Sequence, residues 1–363
     1  MTFQFRRNRV NTALVDAYHW LCEKRAHHSP NSDVWHLRRK VSLSMAQSPA
    51  ENASLSQTPR LKRLQQALTF GHYRFEAQQQ YRIDHECFNL YRSQDSWVLK
   101  TLSLLLGDYC REHHKLSRGC VHIKGHGGLK SAVNQVQQAL PEYQYVFKTD
   151  IKGYYESIDH DALCTEVQRL AGNATLTALI RDSISVSRTW GGLYYPRSRG
   201  IPRGSPLSPL LGAIALNPLD QAMMEYDDIL YLRYMDDWVV LCKTKGRLRQ
   251  VIKHTYRILH DLKLTLHPDK TFIGRIDKGF DFLGYHFTRQ DLRLSLITLQ
   301  RARDKLRQLY EQGASKQRLA HYLRQFWRWA KAAVTMTTPD DKAYYDSIPV
   351  GLCDPGPVKN TAA

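Results

Sequence analysis

Two adjacent carboxylates stand between two apolar runs in the second half of the chain. Asp236 and Asp237 follow residues 231–234 and precede residues 238–241. Carboxylates held in apolar surroundings lose hydration and repel one another, so a cation must offset them. A divalent metal does so, and Mg²⁺ prefers carboxylate and water oxygens together with substrate phosphates. Taken alone, the pair fits an ordinary Asp-Asp turn equally well.

A third carboxylate, Asp150, lies near the end of the β-branched and aromatic run 145–151. Together with Asp236 and Asp237, it would complete a site for two metal ions about 3.5–4 Å apart. One ion of such a site activates a hydroxyl, and the other stabilises a leaving phosphate. As a single residue, Asp150 also fits a helix N-cap or a turn. Because apolar runs flank all three residues, a metal site is the favoured interpretation.

A loop rich in glycine and proline, 200–209, leads into a helical pattern. Backbone N–H groups in such a loop and at the start of a helix can face an anion or a base pair. The loop by itself is unspecific, and it does not identify a ligand.

Strands must bring the three carboxylates to one edge of a sheet. Strand-like runs at 145–151, around Asp236 and from Phe272 onward alternate with helical patterns. Those helical patterns cover 159–170, 207–226 and 248–262. This order of elements predicts an α+β layer with antiparallel strands.

Further helical patterns lie on both sides of this layer. In the first half they cover 12–25, 61–68 and 97–106, the last apolar enough to be buried, and a loop at 124–128 leads into another helix. After Thr298 two more patterns present apolar faces formed by Ala302, Leu306 and Leu309 and by Leu319, Leu323, Phe326 and Ala330. Residues 42–59 predict a linker because Ser, Gln, Asn and Pro dominate there.

The charge balance indicates a polyanionic partner. The 363 residues include 52 Lys+Arg and 34 Asp+Glu, a formal net charge of +18. Residues 1–74 hold 12 basic against 4 acidic side chains, and residues 301–331 hold 9 against 2. Basic blocks of this kind are typical of nucleic-acid contact surfaces. The alternative is a basic protein whose charge only keeps it soluble.

Composition narrows the remaining classes. No apolar run approaches the roughly 18 residues of a membrane-spanning helix, so we expect no membrane contact. The N-terminus has no apolar core or cleavage site of a secretory signal, which predicts a cytoplasmic location. The seven cysteines never form a C-x-x-C pair, and we expect reduced, mostly buried thiols.

Five segments, in one order along the chain, complete the pattern. They are 147–158 (FKTDIKGYYESI), 201–210 (IPRGSPLSPL), 234–237 (YMDD), 264–271 (LTLHPDKT) and 279–285 (GFDFLGY). Over residues 60–335 the chain resembles prokaryotic reverse transcriptases, near the group II intron and diversity-generating retroelement lineages, with a defence-associated enzyme as a further possibility. The resemblance implies a right-hand polymerase whose domains are an N-terminal basic helical extension and linker (1–59), fingers (60–145), palm (146–290), helical thumb (291–335) and a tail (336–363).

The resemblance also implies the chemistry. Asp150, Asp236 and Asp237 match the catalytic and metal-binding carboxylates, and the Ile151 carbonyl is a further metal ligand. Two Mg²⁺ ions, with Mn²⁺ as a possible substitute, would support attack of a primer 3′-hydroxyl on a dNTP with pyrophosphate as the leaving group.

Nucleotide-binding residues follow from the same resemblance. Tyr155 matches the steric gate that excludes the ribose 2′-hydroxyl; the alternative is a core aromatic, and Tyr154 and Tyr155 cannot share one face of an extended segment. Further dNTP-binding candidates are Arg203, Gly204, Lys124, Lys270 and Arg92. Relatives usually carry Gln where Arg203 stands, which predicts unusual fidelity or dNTP affinity. Lys270 could assist pyrophosphate departure, although it also fits a plain surface lysine, as does Lys124.

Primer and template contacts complete the implied site. Phe282, Leu283 and Gly284 match the primer grip, although a Phe-Leu pair in a strand is also plain core. Basic residues of the thumb could follow a template–primer backbone; they are Arg301, Arg303, Arg307, Arg318, Arg324 and Arg328. Residues 336–363 leave no room for a nuclease domain, so we expect RNA to be supplied in trans.

The sequence thus predicts an RNA-directed DNA polymerase acting on a dedicated noncoding RNA of a retroelement or of an anti-phage system. Its partners would be that RNA, the nascent DNA and dNTPs, with an accessory protein or a second copy of the chain as possible additions. Untemplated or protein-primed DNA synthesis by the same palm is one alternative. A non-catalytic RNA-binding scaffold is the other, and three retained carboxylates argue against it.

Overall fold

The computed structural model describes residues 1–24, Leu37, 58–83 and 86–330. The helices are α1 (Arg7–Lys24), α2 (Pro59–Thr69), α3 (Ser93–Glu112), α4 (Gly128–Ala139), α5 (Tyr154–Ser157), α6 (His160–Ala171), α7 (Ala174–Ser185), α8 (Ser208–Ala215), α9 (Asn217–Met224), α10 (Lys245–Asp261), α11 (Leu296–Glu311) and α12 (Lys316–Ala330). The strands are β1 (Gln78–Ile83), β2 (Glu86–Leu90), β3 (Tyr145–Asp150), β4 (Arg188–Trp190), β5 (Leu193–Tyr195), β6 (Ile229–Tyr234), β7 (Asp237–Cys242), β8 (Phe272–Arg275), β9 (Phe280–Phe282), β10 (Tyr285–Phe287) and β11 (Leu292–Leu294). Helices and sheets are mixed, so the predicted α+β class is confirmed.

The central sheet has the strand order β6-β7-β3-β8, and every neighbouring pair in it is antiparallel. Its register sets Asp150, the last residue of β3, opposite Asp237, the first residue of β7. The hairpin of β6 and β7 pairs Tyr234 with Asp237, which leaves Met235 and Asp236 as a two-residue turn. The sheet therefore gathers the three carboxylates at one edge, as the strand pattern predicts.

Both faces of this sheet are covered, because successive side chains of a strand point to opposite faces. Phe147, Trp238 and Val240 belong to a large core that also contains residues of α1, α3 and α6 to α10. Val146 and Val239 belong to a second core with α4, β9 to β11 and the end of α12. Asp150 and Asp237 have the parity of Val146 and Val239, so they point toward the side of the second core.

A buried ion pair joins β6 to α9 directly behind the turn. Arg233 and Asp220 are fully buried, and the Arg233 Nε donates to Asp220 Oδ1 at 2.7 Å. The Tyr231 hydroxyl donates to the same carboxylate oxygen at 2.7 Å. A buried charge is costly unless its hydrogen-bonding groups are satisfied, and this network also reaches the turn, since Arg233 Nη1 donates to the Met235 carbonyl at 2.6 Å.

Two smaller sheets flank the central one. One has the order β2-β1-β4-β5, and its β1 and β4 run parallel; the sequence patterns predict neither these strands nor α7. The other consists of β9, β10 and β11, all antiparallel. The apolar spacing after Thr298 predicts two helices, and the structure has α11 and α12 there.

Two local predictions are wrong. The single helical stretch predicted at 207–226 is two helices, α8 and α9, because Pro218 has no N–H and its ring would clash with a helical carbonyl four residues earlier. The segment of Tyr154 and Tyr155 is the helical turn α5 instead of an extended run. The two rings lie side by side against Gly212, with centroids 5.8 Å apart. Tyr154 is buried and its hydroxyl donates to the Gly212 carbonyl, whereas Tyr155 is half-buried.

Other predictions can be compared only in part. Cys110, Cys120, Cys164 and Cys242 are buried free thiols. Among the described residues, no helix is long and apolar enough to cross a bilayer. Most of the predicted linker, residues 42–57, and the tail 336–363 lie outside the described residues. The domain boundaries stay predictions, although α1 packs against α3 through a hydrogen bond from Trp97 Nε1 to the Leu14 carbonyl at 2.6 Å.

Candidate active site

Three carboxylates and two lysines meet at the edge of the central sheet. Lys270, in the segment between α10 and β8, places its Nζ 2.6 Å from Asp150 Oδ2. Lys148 lies two residues before Asp150 on the same face of β3, and its Nζ lies 3.6 Å from Asp237 Oδ1. Asp236 occupies the turn beside them. The structure thus brings Lys270 to the predicted carboxylates, and it adds Lys148, which the sequence reasoning missed.

The surroundings of Asp236 and Asp237 disfavour the ionised form of each carboxylate. Burial raises the pKa of Asp237 to about 7, although Lys148 partly offsets the effect. Burial, and then the charge of Asp150, raise the pKa of Asp236. Both shifts mean that the ionised forms are destabilised where they stand. The two lysines do not fully compensate three acids at this edge of the sheet.

The donor set fits divalent metal ions. Asp150 Oδ1 and Asp237 Oδ1 are buried and accept no hydrogen bond from the described residues, and carboxylate oxygens are the ligands that Mg²⁺ prefers. As the side chains stand, the described residues hold no ready group of three acidic, histidine or cysteine side chains around a metal position. Ile151 forms an antiparallel bridge with Leu266 whose two hydrogen bonds come from the neighbouring residues. Its carbonyl therefore points away from that segment.

Two side chains hold the turn that carries Asp236, Arg233 of the same hairpin and His122 from outside it. Met235 has a φ of 58°, a left-handed conformation that is costly for a residue other than glycine. Arg233 donates to its carbonyl, and its N–H donates to Nδ1 of His122 at 3.0 Å. The sequence reasoning missed His122, since its contact with Met235 spans 113 residues. It also missed Arg233, although a charged residue within an apolar strand pattern is itself a sign of a buried, paired cation.

Tyr155 lies between the carboxylates and the loop 200–209. A Cβ atom at Gly212 would lie 3.2 Å from Cε1 of Tyr155, so the ring rests against α8. Burial raises the pKa of Tyr155 to about 12; the nearby Asp236 adds to this shift, and Arg203 opposes it. The structure therefore brings Tyr155, Asp236 and Arg203 into one neighbourhood. Gly204, with a φ of 88°, is exposed in the same loop as Arg203.

Residues 77–287 match the family described as reverse transcriptase (RNA-dependent DNA polymerase). The chain belongs to the reverse transcriptase family. The match spans β1 to β10 and includes all three carboxylates, so the resemblance inferred from the five motifs is confirmed.

Individual relatives are distant. Protein YkfC of Escherichia coli (strain K12) is 28% identical over 184 residues, which are 41% of this chain and 48% of YkfC. The chain therefore spans about half the length of the curated relative it matches. Telomerase from Candida albicans, solved with a TWJ fragment of telomeric RNA, has a TM-score of 0.52 at 12% identity, over 77% of this chain and 55% of that one. Truncated apo telomerase from Candida tropicalis has a TM-score of 0.46 at 14% identity, over 58% and 52%. The likeness to the Candida albicans structure concerns the fold.

Two candidate nucleotide-binding residues, Lys124 and Arg92, have surroundings that do not test their role. Lys124 is exposed in the segment before α4. Arg92 immediately precedes α3, where it pairs with Glu76. Among the described residues, neither side chain hydrogen-bonds or pairs with Asp150, Asp236 or Asp237. Their assignment to dNTP binding stays a prediction.

The predicted primer grip is a tight turn against the last two helices. Leu283 and Gly284 connect β9 to β10, and both have positive φ, at 50° and 87°, as a two-residue hairpin turn requires. A Cβ atom at Gly284 would lie 3.0 Å from Trp329, and Thr298 Oγ1 donates to the Gly284 carbonyl at 2.9 Å. Phe282 is buried in the second core. The alternative reading of Phe282 as core is therefore correct for its side chain, while the turn beside it stays the candidate grip.

The predicted nucleic-acid face lies on α11 and α12. The arginines there are exposed; they are Arg301, Arg303, Arg307, Arg318, Arg324 and Arg328. Among them Arg307 pairs with Glu311 at 2.9 Å, and Arg328 donates to Gln325 at 2.6 Å. Leu309 and Leu319 are buried on the opposite faces. The two helices thus present a basic surface to solvent.

The raised pKa of Asp237 predicts how stability depends on pH and metal. In the unfolded chain the carboxyl ionises near its ordinary value of 3.8, whereas in the fold it holds its proton until about pH 7. The wild type therefore loses stability relative to Asp237→Asn as pH rises from 4 to 7, by on the order of 3 kcal/mol. Urea unfolding of both proteins in EDTA measures this. Excess Mg²⁺ should narrow the difference, because only the carboxylate gains an ion; a difference that is constant with pH would contradict the prediction.

Proposed function

We propose that this protein is an RNA-directed DNA polymerase, a nucleotidyltransferase that extends a primer 3′-hydroxyl with dNTPs on an RNA template. The register of β3 and β7 carries the proposal, because it opposes Asp150 and Asp237 beside the turn of Asp236. Within the described part of the chain, two buried carboxylate oxygens there accept no hydrogen bond. Membership of the reverse transcriptase family supports the same activity.

The chain's own residues would orient the reactants. Two Mg²⁺ ions, for which Mn²⁺ could substitute, would supply hydroxyl activation and charge stabilisation when bound. Asp150, Asp236 and Asp237 would hold them through carboxylate oxygens. The Lys270 ammonium, already 2.6 Å from Asp150, could donate a proton to departing pyrophosphate. The ring of Tyr155 would exclude the 2′-hydroxyl of a ribonucleotide.

The basic surfaces fit a nucleic-acid template and product. The exposed arginines lie on α11 and α12, which follow the Leu283–Gly284 turn in the chain. Their charge would neutralise backbone phosphates with release of counterions. The telomerase from Candida albicans, which has a similar fold, was solved with an RNA fragment. We infer that the template of this chain is a dedicated noncoding RNA of a retroelement or an anti-phage system. An accessory protein or a second copy of the chain could assist, and a cytoplasmic location stays a prediction.

Removal of two carboxylates tests the assigned site. The double variant Asp236→Ala, Asp237→Ala should lose dNTP incorporation by more than about a thousandfold, because the metal ligands of the turn are gone. Its RNA binding should stay nearly unchanged. Incorporation of labelled dNTPs on a defined primer–template and filter binding of RNA measure the two effects. Asp261→Ala, an exposed acid at the end of α10, is the control; persistent incorporation by the double variant would refute the site.

The gate assignment predicts a change in sugar discrimination. Tyr155→Val removes the ring that rests against Gly212, and incorporation of ribonucleotides relative to dNTPs should rise roughly 10- to 100-fold. Tyr155→Phe keeps the ring and should keep the discrimination. Single-nucleotide extension with matched dNTP and rNTP pairs measures both variants. Equal discrimination in Tyr155→Val and in the wild type would remove Tyr155 from this role.

The identity of the template predicts a copurifying RNA. Protein purified from its native host should carry one discrete RNA, and DNA made by the protein should be complementary to it. Sequencing both molecules tests this. DNA with no complement in the RNA would support untemplated or protein-primed synthesis instead. A purification that carries only random host RNA would contradict a dedicated template.

A further inference from the structure

The imidazole of His122 connects the Met235–Asp236 turn to α8, the helix that follows the loop 200–209. His122 lies between α3 and α4, and its Nδ1 accepts a hydrogen bond from the Met235 N–H at 3.0 Å. Its Nε2 lies 3.4 Å from the carbonyl oxygen of Pro209, in the first turn of α8. The same ring lies 5.8 Å from the ring of Tyr234. His122 therefore contacts both sides of the candidate active site.

The protonation state of His122 is fixed by these contacts. Nδ1 can accept from Met235 only when it carries no proton, so the proton lies on Nε2, which faces the Pro209 carbonyl. Burial, and then the Arg233 guanidinium, lower the pKa of His122 to about 4. The ring is therefore neutral near pH 7. Cys120 Sγ lies 3.6 Å from Nδ1 and 3.2 Å from Arg233 Nη2, which places the imidazole in the same network as the buried ion pair.

Met235 needs this support because its backbone is in a costly conformation. A two-residue turn with a non-glycine residue at a φ of 58° is stable only where its surroundings hold it. Arg233 satisfies the Met235 carbonyl, and His122 satisfies the Met235 N–H. Both backbone polar groups of Met235, the residue that precedes Asp236, thus have side-chain partners, and the partner of its N–H comes from outside the hairpin.

We propose that His122 is a positioning residue that fixes the Met235–Asp236 turn against α8, so that Asp236 and Asp237 keep one geometry toward metal ions and nucleotide. The inference rests on the proposed function, since it assigns His122 a part in the same site. His122 touches no reacting atom; it acts through the Met235 backbone. The hydrogen bond at Nδ1 carries this role, and the contact at Nε2 holds the ring against α8.

Two amide variants separate the two ring nitrogens. The Asn oxygen in His122→Asn lies near the position of Nδ1 and can still accept from Met235, whereas the Gln amide in His122→Gln reaches only the position of Nε2. His122→Phe keeps a ring without either contact. We expect kcat for single dNTP addition to stay within about threefold of the wild type in the Asn variant. In the Gln and Phe variants it should fall about tenfold or more, as for loss of one buried hydrogen bond.

Three measurements decide the assignment. The kcat and KM for dNTP on a preformed primer–template should show the loss in kcat, because dNTP contacts are unchanged. Melting temperatures serve as the structural control. Equal losses in the Asn and Phe variants, wild-type activity in the Gln variant, or losses that follow the melting temperature would each overturn the proposal. If the Phe variant fails to fold, the comparison of Asn with Gln still decides.

Binding of Mn²⁺ gives a readout that needs no polymerase activity. Electron paramagnetic resonance should show about tenfold weaker Mn²⁺ binding in His122→Gln than in the wild type, and binding within about threefold of it in His122→Asn. Equal Mn²⁺ affinity in both variants would overturn the positioning role. A wild type that binds Mn²⁺ yet incorporates no dNTP would refute the proposed function instead, while the Mn²⁺ comparison would still test His122.

Discussion

The like-charge pair of Asp150 and Asp237 is the constraint on which the rest of the site depends. Carboxylates that face each other on adjacent strands repel, and burial removes the water that would screen them. Lys148 and Lys270 each approach one carboxylate, yet one oxygen of each acid still accepts no hydrogen bond from any residue that the structure describes. Packing alone gives no reason to place three acids here. The arrangement is explained by a cation that the fold is built to receive.

The turn between β6 and β7 is a second feature that costs free energy of folding. The turn between β6 and β7 holds Met235 in a left-handed conformation, and Arg233 supports it from a fully buried position. That guanidinium is tolerable only because Asp220 and the carbonyls of Met235 and Ala213 accept its donors. The large core, which closes over α9 and β6, therefore stabilises the conformation of the turn. Losing the Asp220 partner would leave a buried charge directly behind the turn that carries Asp236.

The sequence alone predicts those parts of the site that depend on residues close together in the chain. The apolar runs around Asp236 predict the hairpin, and the run that ends near Asp150 predicts β3, because strand patterns are read over a few residues. Lys148 could also have been predicted as a neighbour of the carboxylates, since residues two apart share a face of a strand. His122 could not have been predicted, because only the tertiary fold brings it to Met235, which is 113 positions away. The parallel pairing of β1 with β4 and the break at Pro218 were missed because periodicity shows neither strand partners nor a short interruption.

The short helix α8 is where the nucleotide side and the metal side of the site meet. Tyr154 donates to the Gly212 carbonyl, and the ring of Tyr155 rests on the same glycine. From the other side, Arg233 donates to the Ala213 carbonyl, and His122 faces the carbonyl of Pro209. A displacement of α8 would therefore move the gate and the carboxylate turn together. A Cβ at Gly212 would lie 3.2 Å from the Tyr155 ring and 3.3 Å from the Tyr154 ring, which is tighter than ordinary contact. A larger residue at Gly212 would therefore displace these rings or α8 itself, and it would act on both sides of the site through one helix.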